Sequence, residues 1–102
     1  MPRYLAELYL PRACSGSLRE AVARARAAAE AMTREGTPIH HLRAIFLGDD
    51  EVCLHLYEAG SAELVREASR RAAIPVERVI EAEDVEVDAE PGPRERSRSW
   101  KP

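Results

Sequence analysis

Hydrophobic and polar positions follow two rhythms along this chain. Some segments alternate with the period of two that is typical of strands, and others repeat apolar residues at the three- to four-residue spacing of an amphipathic helix. Together they predict the order β-α-β-β-α-β. The predicted strands cover residues 3–10, 38–47, 51–59 and about 77–87, and the predicted helices cover 17–34 and 62–73.

Local signals support the helix boundaries. Ser17 and Glu20 have the spacing of a capping box, in which the serine accepts a backbone N–H and the glutamate reaches back. Gly36 has the position of a left-handed helix end. Ser61 is the predicted N-cap of the second helix, and Pro75 the residue that terminates it.

This element order predicts an α+β, ferredoxin-like fold: a four-stranded antiparallel sheet with both helices on one face. Right-handed crossovers give the strand order 4-1-3-2. For the central hairpin we predict a loop at residues 48–50 and partners whose numbers sum to 98. The core-facing pairs are then Leu42 with Leu56, Ala44 with Leu54, and Phe46 with Val52, leaving His41, Arg43 and Ile45 opposite Tyr57, His55 and Cys53.

Residues 1–88 are predicted to form one domain, and residues 89–102 a disordered tail. The tail is rich in proline, glycine, serine and arginine and has no apolar periodicity. Six acids and no base lie between residues 81 and 90, directly before the basic tail.

Composition excludes several function classes. The net charge of −3 does not favour a nucleic-acid partner, and no apolar run approaches a membrane span of ~20 residues. Fourteen of the fifteen basic residues are arginine, with Lys101 the exception, which argues against Schiff-base and P-loop chemistry. Cys14 and Cys53 form neither a disulfide framework nor a paired CxxC motif, and no signal-peptide core follows the first residues. We therefore expect a cytoplasmic protein.

The predicted fold leaves one sheet face without helices. Such a mixed apolar and ionisable surface is typical of an interface, so we expect a homodimer in which two sheets pack face to face as an α+β barrel. Strand parity assigns to this face Leu5, Glu7, Tyr9, His41, Arg43, Ile45, Cys53, His55 and Tyr57, with Val79 and Glu81 from the last strand. The pocket or interface residues among them are Tyr9, Arg43, Ile45, Cys53 and Tyr57.

Three residues of this predicted face are candidate metal ligands: His41, His55 and Glu7. Neutral imidazole with an ionised carboxylate suits nickel, copper, iron or zinc. The alternative interpretation is that these residues have purely structural roles. His55 then forms a core hydrogen bond or part of the dimer interface, Glu7 pairs with Arg43, and Cys53 is a small buried hydrophobe.

One stretch resembles a known family. It runs Cys53-Leu-His55-Leu-Tyr57-Glu58-Ala59, then Ser61-Ala62 opening a helix, then Arg70-Arg71-Ala72 and Arg78-Val79. It is similar to a family of small bacterial nickel-binding proteins that was long a domain of unknown function. The resemblance covers about residues 1–86, with Ala73 where a glycine is more familiar. It implies a ferredoxin-like fold, a homodimer forming an α+β barrel, and bound nickel.

The leading hypothesis is thus a dimeric nickel-binding protein rather than an enzyme, with the metal held on or near the open sheet face. The alternative is a small cofactor-independent barrel enzyme, of the cyclase, isomerase or monooxygenase type. In it His55 or His41 is the general acid/base and Arg43 holds an anionic substrate. A third hypothesis is a purely structural partner module.

Overall fold

A computed structural model describes residues 1–83 and 85 of the chain. The predicted tail at 89–102 lies outside the described residues, as does the end of the predicted last strand. A 3₁₀ helix at Arg12–Ser17 occupies most of the segment between the predicted first strand and the predicted first helix. The regular elements are β1 (Arg3–Tyr9), α1 (Leu18–Arg34), β2 (Ile39–Leu47), β3 (Val52–Ala59), α2 (Ala62–Arg71) and β4 (Arg78–Ala82).

The sheet confirms the predicted fold class. Its strands lie in the order β2-β3-β1-β4, with antiparallel pairing at every contact. Both helices are on one face of this sheet, as in the ferredoxin-like arrangement. The central strands β3 and β1 therefore carry the core, and β2 and β4 form the edges.

A β-bulge in β2 changes the hairpin register. His41 pairs with Tyr57 as predicted, but Arg43 pairs with Leu56, so Leu42 is the extra residue. Beyond the bulge the partner numbers sum to 99 rather than 98, and the predicted pairs from Leu42 to Phe46 are wrong by one residue. A bulge adds one residue to one strand, which reverses the inward and outward positions relative to a continuous alternation.

The register with β1 decides which side of β3 faces the helices. Tyr4, Ala6 and Leu8 lie in the core and stand opposite Tyr57, His55 and Cys53. The side chains of Cys53, His55 and Tyr57 are therefore on the helix-covered face, and the prediction that placed them on the open face is wrong. His41 is also on the helix side, because it stands opposite Tyr57.

The open face carries other residues in their place. Leu54 and Leu56 belong to it, because they stand opposite Glu7 and Leu5. The last strand contributes Arg78 and Ile80. The assignment of Val79 and Glu81 to this face is wrong, since these two stand opposite Ala6 and Tyr4.

Small residues on α1 make room for the bulky side chains of the sheet. Ala25, Ala28 and Ala29 are buried on this helix and belong to the same core cluster as Tyr57. Alanine side chains allow a helix backbone to approach a sheet closely, and close packing is the normal state of a protein core. The largest fully buried side chain of the core, that of Tyr57, thus comes from the sheet rather than from α1.

The helix ends follow the sequence signals only in part. Ser61 Oγ accepts a hydrogen bond from Leu64 N at 3.4 Å, as an N-cap does. Ser17 makes no such cap, since its hydroxyl donates to Cys14 O at 2.9 Å within the 3₁₀ helix. The capping-box prediction is wrong because the 3₁₀ turn continues directly into α1. Gly36 has the predicted left-handed φ of 101°.

Ala73 ends α2 in a conformation that favours glycine. Its φ is 58°, and Ile74 N donates to Ser69 O at 2.9 Å in a Schellman arrangement.

We predict that Ala73→Gly stabilises the protein by ~0.5–1 kcal/mol, because the left-handed region is costly for a residue with a Cβ. The exposed Ala27 within α1 provides the control: Ala27→Gly should destabilise by about 1 kcal/mol. Urea unfolding of both variants checks this, and a loss of stability in Ala73→Gly would contradict it.

Candidate metal centre

Two of the three predicted metal ligands meet inside the protein. His41 on β2 and His55 on β3 place Nε2 and Nδ1 2.8 Å apart. The His55 side chain is 1% exposed and that of His41 is 8% exposed. A direct imidazole–imidazole hydrogen bond therefore links the edge strand to its neighbour beneath the helices.

The aromatic ring of Tyr57 packs against this histidine pair. The ring of Tyr57 meets that of His41 edge to face, at 5.0 Å between centroids and 87° between planes. The two imidazoles lie 5.1 Å apart at 60°. Edge-to-face contacts fix ring orientation as well as adding packing energy, so the nitrogens of the pair have defined directions.

Two buried polar atoms at this site lack a partner among the described residues: His41 Nδ1 and Tyr57 Oη. Buried polar groups are nearly always hydrogen-bonded, so such atoms in a native fold indicate a ligand, an ion or water. Only one of the two facing nitrogens carries a proton when both rings are neutral. If His41 Nε2 donates that proton to His55, then His41 Nδ1 presents a lone pair.

Burial keeps both imidazoles neutral. It lowers the pKa of His55, and it lowers the pKa of His41 to about 4, with additional effects from His55 and from the positive charge of Arg26. Burial also raises the pKa of Tyr57 to about 12. The Ser69 hydroxyl opposes this last shift without completing a hydrogen bond. Neutral imidazole is the protonation state that binds metal, and it is available here well below pH 7.

Glu7, the third predicted ligand, does not join the pair. It is on the open face of β1, where its Oε1 accepts from Arg78 Nε at 2.7 Å. Its neighbour Ala6, rather than Glu7, stands opposite His55. The sheet itself separates this carboxylate from the two histidines.

The remaining predicted residues divide between the two faces. Tyr9, Arg43 and Ile45 are exposed, and Arg43 and Ile45 stand opposite the open-face residues Leu56 and Leu54. The predicted combination of Arg43 with His41 or His55 in one substrate pocket is therefore not present. Cys53 is buried and has a raised pKa, which keeps it a thiol rather than a metal-binding thiolate.

The histidine pair is an incomplete donor set. Among residues 1–83 and 85, no group of three or more histidine, cysteine, aspartate or glutamate side chains is placed to hold a metal ion. The nitrogens fit a borderline transition metal in chemistry, since imidazole suits nickel, copper and zinc. Further donors have to come from water or from another molecule.

A groove beside His41 was missed in the sequence analysis. It lies between α1 and the edge strand β2 and has a volume of about 380 Å³. A polar stripe at positions 26, 30 and 34 of α1 was the available signal, since residues four apart share a helix face. Its lining comprises Arg26, Ala29, Glu30, Thr33, Arg34, Ile39, His40 and His41.

Comparisons with known proteins agree with this fold and with the resemblance. Residues 4–82 match the family described as "Nickel responsive protein SCO4226-like". The chain belongs to this nickel-responsive family. It is also similar to the crystal structure of SCO4226 from Streptomyces coelicolor A3(2), with a TM-score of 0.62 and 19% sequence identity, over 82% of this chain and 99% of that one. No curated protein matches the chain.

The match to the nickel-responsive family covers every described helix and strand except the first residue of β1. It therefore includes both histidines of the pair and the whole lining of the groove. Within the described part, no helix is long and apolar enough to cross a membrane.

We predict that the buried pair makes stability depend on pH. A folded-state pKa below the unfolded value means that the unfolded chain binds more protons, so stability falls as pH drops from about 6.5 toward about 4. His41 alone accounts for roughly 2 kcal/mol between about pH 7 and about pH 5. Urea unfolding at the two pH values measures this change.

The exposed His40 is the matched control for this experiment. His40→Gln should keep the pH dependence of the free energy of unfolding, whereas His41→Gln should lose the part that His41 contributes and keep that of His55, whose pKa burial also lowers. The groups that face His41 are His55 and Tyr57 from β3 and Arg26 from α1. An unchanged pH dependence in His41→Gln would show that the buried imidazole is not the titrating group.

Proposed function

We propose that this member of the nickel-responsive family is a dimeric nickel-binding protein in which His41 and His55 supply the protein nitrogen donors. The observation that carries the proposal is the buried pair, with Nε2 and Nδ1 2.8 Å apart and both rings held neutral. Membership of the family directs the choice of metal to nickel. Glu7 is left out of the donor set because it lies on the other side of the sheet.

The proposed task is binding rather than catalysis. The enzyme alternative relied on Arg43 and His55 in one pocket, and these two residues lie on opposite faces of the sheet. The cytoplasmic location and the domain boundary at residue 88 stay predictions from the sequence.

The open sheet face supports the proposed homodimer. Its centre is apolar, with Leu54 and Leu56 of β3 beside Leu5 of β1, while Ile45 and Ile80 are 43% and 37% exposed. Two ion pairs border this centre, Arg78 with Glu7 and Arg3 with Glu58 at 3.7 Å. An apolar centre with a polar rim is the usual anatomy of a protein interface. A second copy of the same face would cover it.

We predict that the pair governs nickel affinity. His55→Phe keeps a ring of similar size but removes both nitrogens, so Ni²⁺ should bind at least ~10-fold more weakly, a change of about 1.4 kcal/mol. Nickel should also raise the melting temperature of the wild type, since a ligand of the folded state stabilises it. Titration calorimetry and thermal unfolding with NiCl₂ measure both effects on untagged protein.

His40→Phe is the matched control for this substitution, because His40 precedes His41 but is exposed. It should bind Ni²⁺ within about twofold of the wild type, a difference below ~0.5 kcal/mol. Equal affinity in wild type and in folded His55→Phe would remove the pair from the nickel site.

We predict that a charge on the open face separates the dimer. Ile45→Glu should sediment as a monomer at tens of micromolar where the wild type is a dimer, because an unpaired buried carboxylate is costly. Ala23→Glu, on the exposed side of α1, is the control and should leave the dimer intact. A monomeric wild type would contradict the proposed assembly, while nickel binding at the histidine pair would be unaffected by Ile45→Glu.

A further inference from the structure

The groove between α1 and β2 does not suit a metal ion. Its lining holds two arginines, Arg26 and Arg34, and does not include His55. Within residues 1–83 and 85, no group of three metal-binding side chains is present. The nickel proposed for the histidine pair is therefore not placed here, and the charge of the groove indicates a different ligand, an anion.

The two guanidiniums of the groove are available to an external anion. Both arginines are exposed, and neither forms an ion pair or a side-chain hydrogen bond within residues 1–83 and 85. Glu30 lies four residues from each of them, a spacing at which helix ion pairs form, yet among the same residues it pairs with neither. Glu35, beside Arg34 in the chain, is held by two hydrogen bonds from Arg71. The lining thus has an excess of positive charge.

The spacing of these charges defines the shape of the ligand. Arg26 and Arg34 are eight residues apart, so their Cα atoms differ by ~12 Å along the axis of α1. Glu30 lies midway between them in the chain and would repel a negative charge there. Ala29 and Ile39, 2% and 1% exposed, form an apolar part of the wall. A matching ligand therefore has a carboxylate at each end and an uncharged aliphatic middle.

The groove favours a small molecule over an added peptide strand. Thr33 Oγ1 accepts a hydrogen bond from Ile39 N at 3.1 Å and donates one to Ile39 O at 2.9 Å. The backbone of β2 at Ile39 is thus already satisfied, whereas strand addition relies on free main-chain groups at a sheet edge. The groove volume of about 380 Å³ is at the small end of the ~300–1,000 Å³ range of small-molecule sites.

We propose that this groove is a binding site for a small linear dicarboxylate, with one carboxylate on Arg26, the other on Arg34, and the aliphatic chain against Ala29 and Ile39. A guanidinium matches a carboxylate with two parallel hydrogen bonds. Glu30 acts against an anion whose charge lies in the middle. The site goes beyond the proposed nickel function and does not depend on it, because no part of it involves the metal.

Titration calorimetry with adipate as the probe tests this proposal, at constant ionic strength and without nickel. Adipate should bind the wild type at least ~10-fold more tightly than hexanoate, which has the same chain length but one carboxylate, because adipate makes a second charge-assisted contact. Arg34→Gln should remove this preference, so that the two probes bind within about twofold of each other. Glu30→Gln should bind adipate more tightly than the wild type does, because the repulsion in the middle is lost.

Arg19→Gln is the matched control, because Arg19 is an exposed arginine of α1 outside the groove. It should keep the wild-type preference for adipate. In a second measurement, the backbone amide NMR signals of residues 29–34 and 39–41 should shift on addition of adipate, while those of β4 should not.

The proposal is overturned if adipate does not bind, if it binds no better than hexanoate, if Arg34→Gln keeps the wild-type preference, or if the signals of β4 shift in place of those of the groove. No nickel is present in these titrations, so their failure is distinguishable from a failure of the proposed nickel function.

Discussion

Burial of two hydrogen-bonded histidines beneath an alanine-rich helix is the constraint on which the rest of this structure depends. The core accepts His55 and Tyr57, 1% and 0% exposed, because α1 presents alanines to them. Burial of an imidazole without a counter-charge favours its neutral form. The same packing that completes the core therefore prepares a pair of nitrogen donors and fixes their orientation.

The two faces of the sheet separate two chemical properties. The helix side holds the neutral histidine pair and, at its edge, a groove with two arginines. The open side holds an apolar centre bordered by the ion pairs Arg78–Glu7 and Arg3–Glu58. This separation means that the proposed assembly through the open face would leave the groove uncovered in each chain. It also means that a second copy bound there cannot supply donors to the metal.

Sequence periodicity was sufficient for the architecture but not for the site. Strand alternation and helix spacing each extend over many residues, so a single irregular position does not obscure them. They correctly predict the element order, the strand order and the position of both helices on one face of the sheet. The face of His55 follows from the register of β3 with β1. The extra residue Leu42 then puts Arg43 and Ile45 on the face opposite His41, because one bulge reverses the alternation. The two leucines of β3 resemble core residues in sequence, yet the alanines of α1 and β1 leave space for larger rings instead. The fit between small side chains on one element and large side chains on another is a tertiary property, and no local sequence pattern predicts it.

Nickel's position relative to the sheet tests the central claim most directly. Crystals of the nickel-loaded protein, measured at the nickel absorption edge, would locate the metal by its anomalous scattering. If the pair binds nickel, the peak lies on the helix-covered side, at roughly 2.1 Å from an imidazole nitrogen of the His41–His55 pair, as in metal–imidazole bonds generally. A peak on the open face instead, beside Glu7 or between the cross-strand neighbours His40 and Glu58, would contradict it.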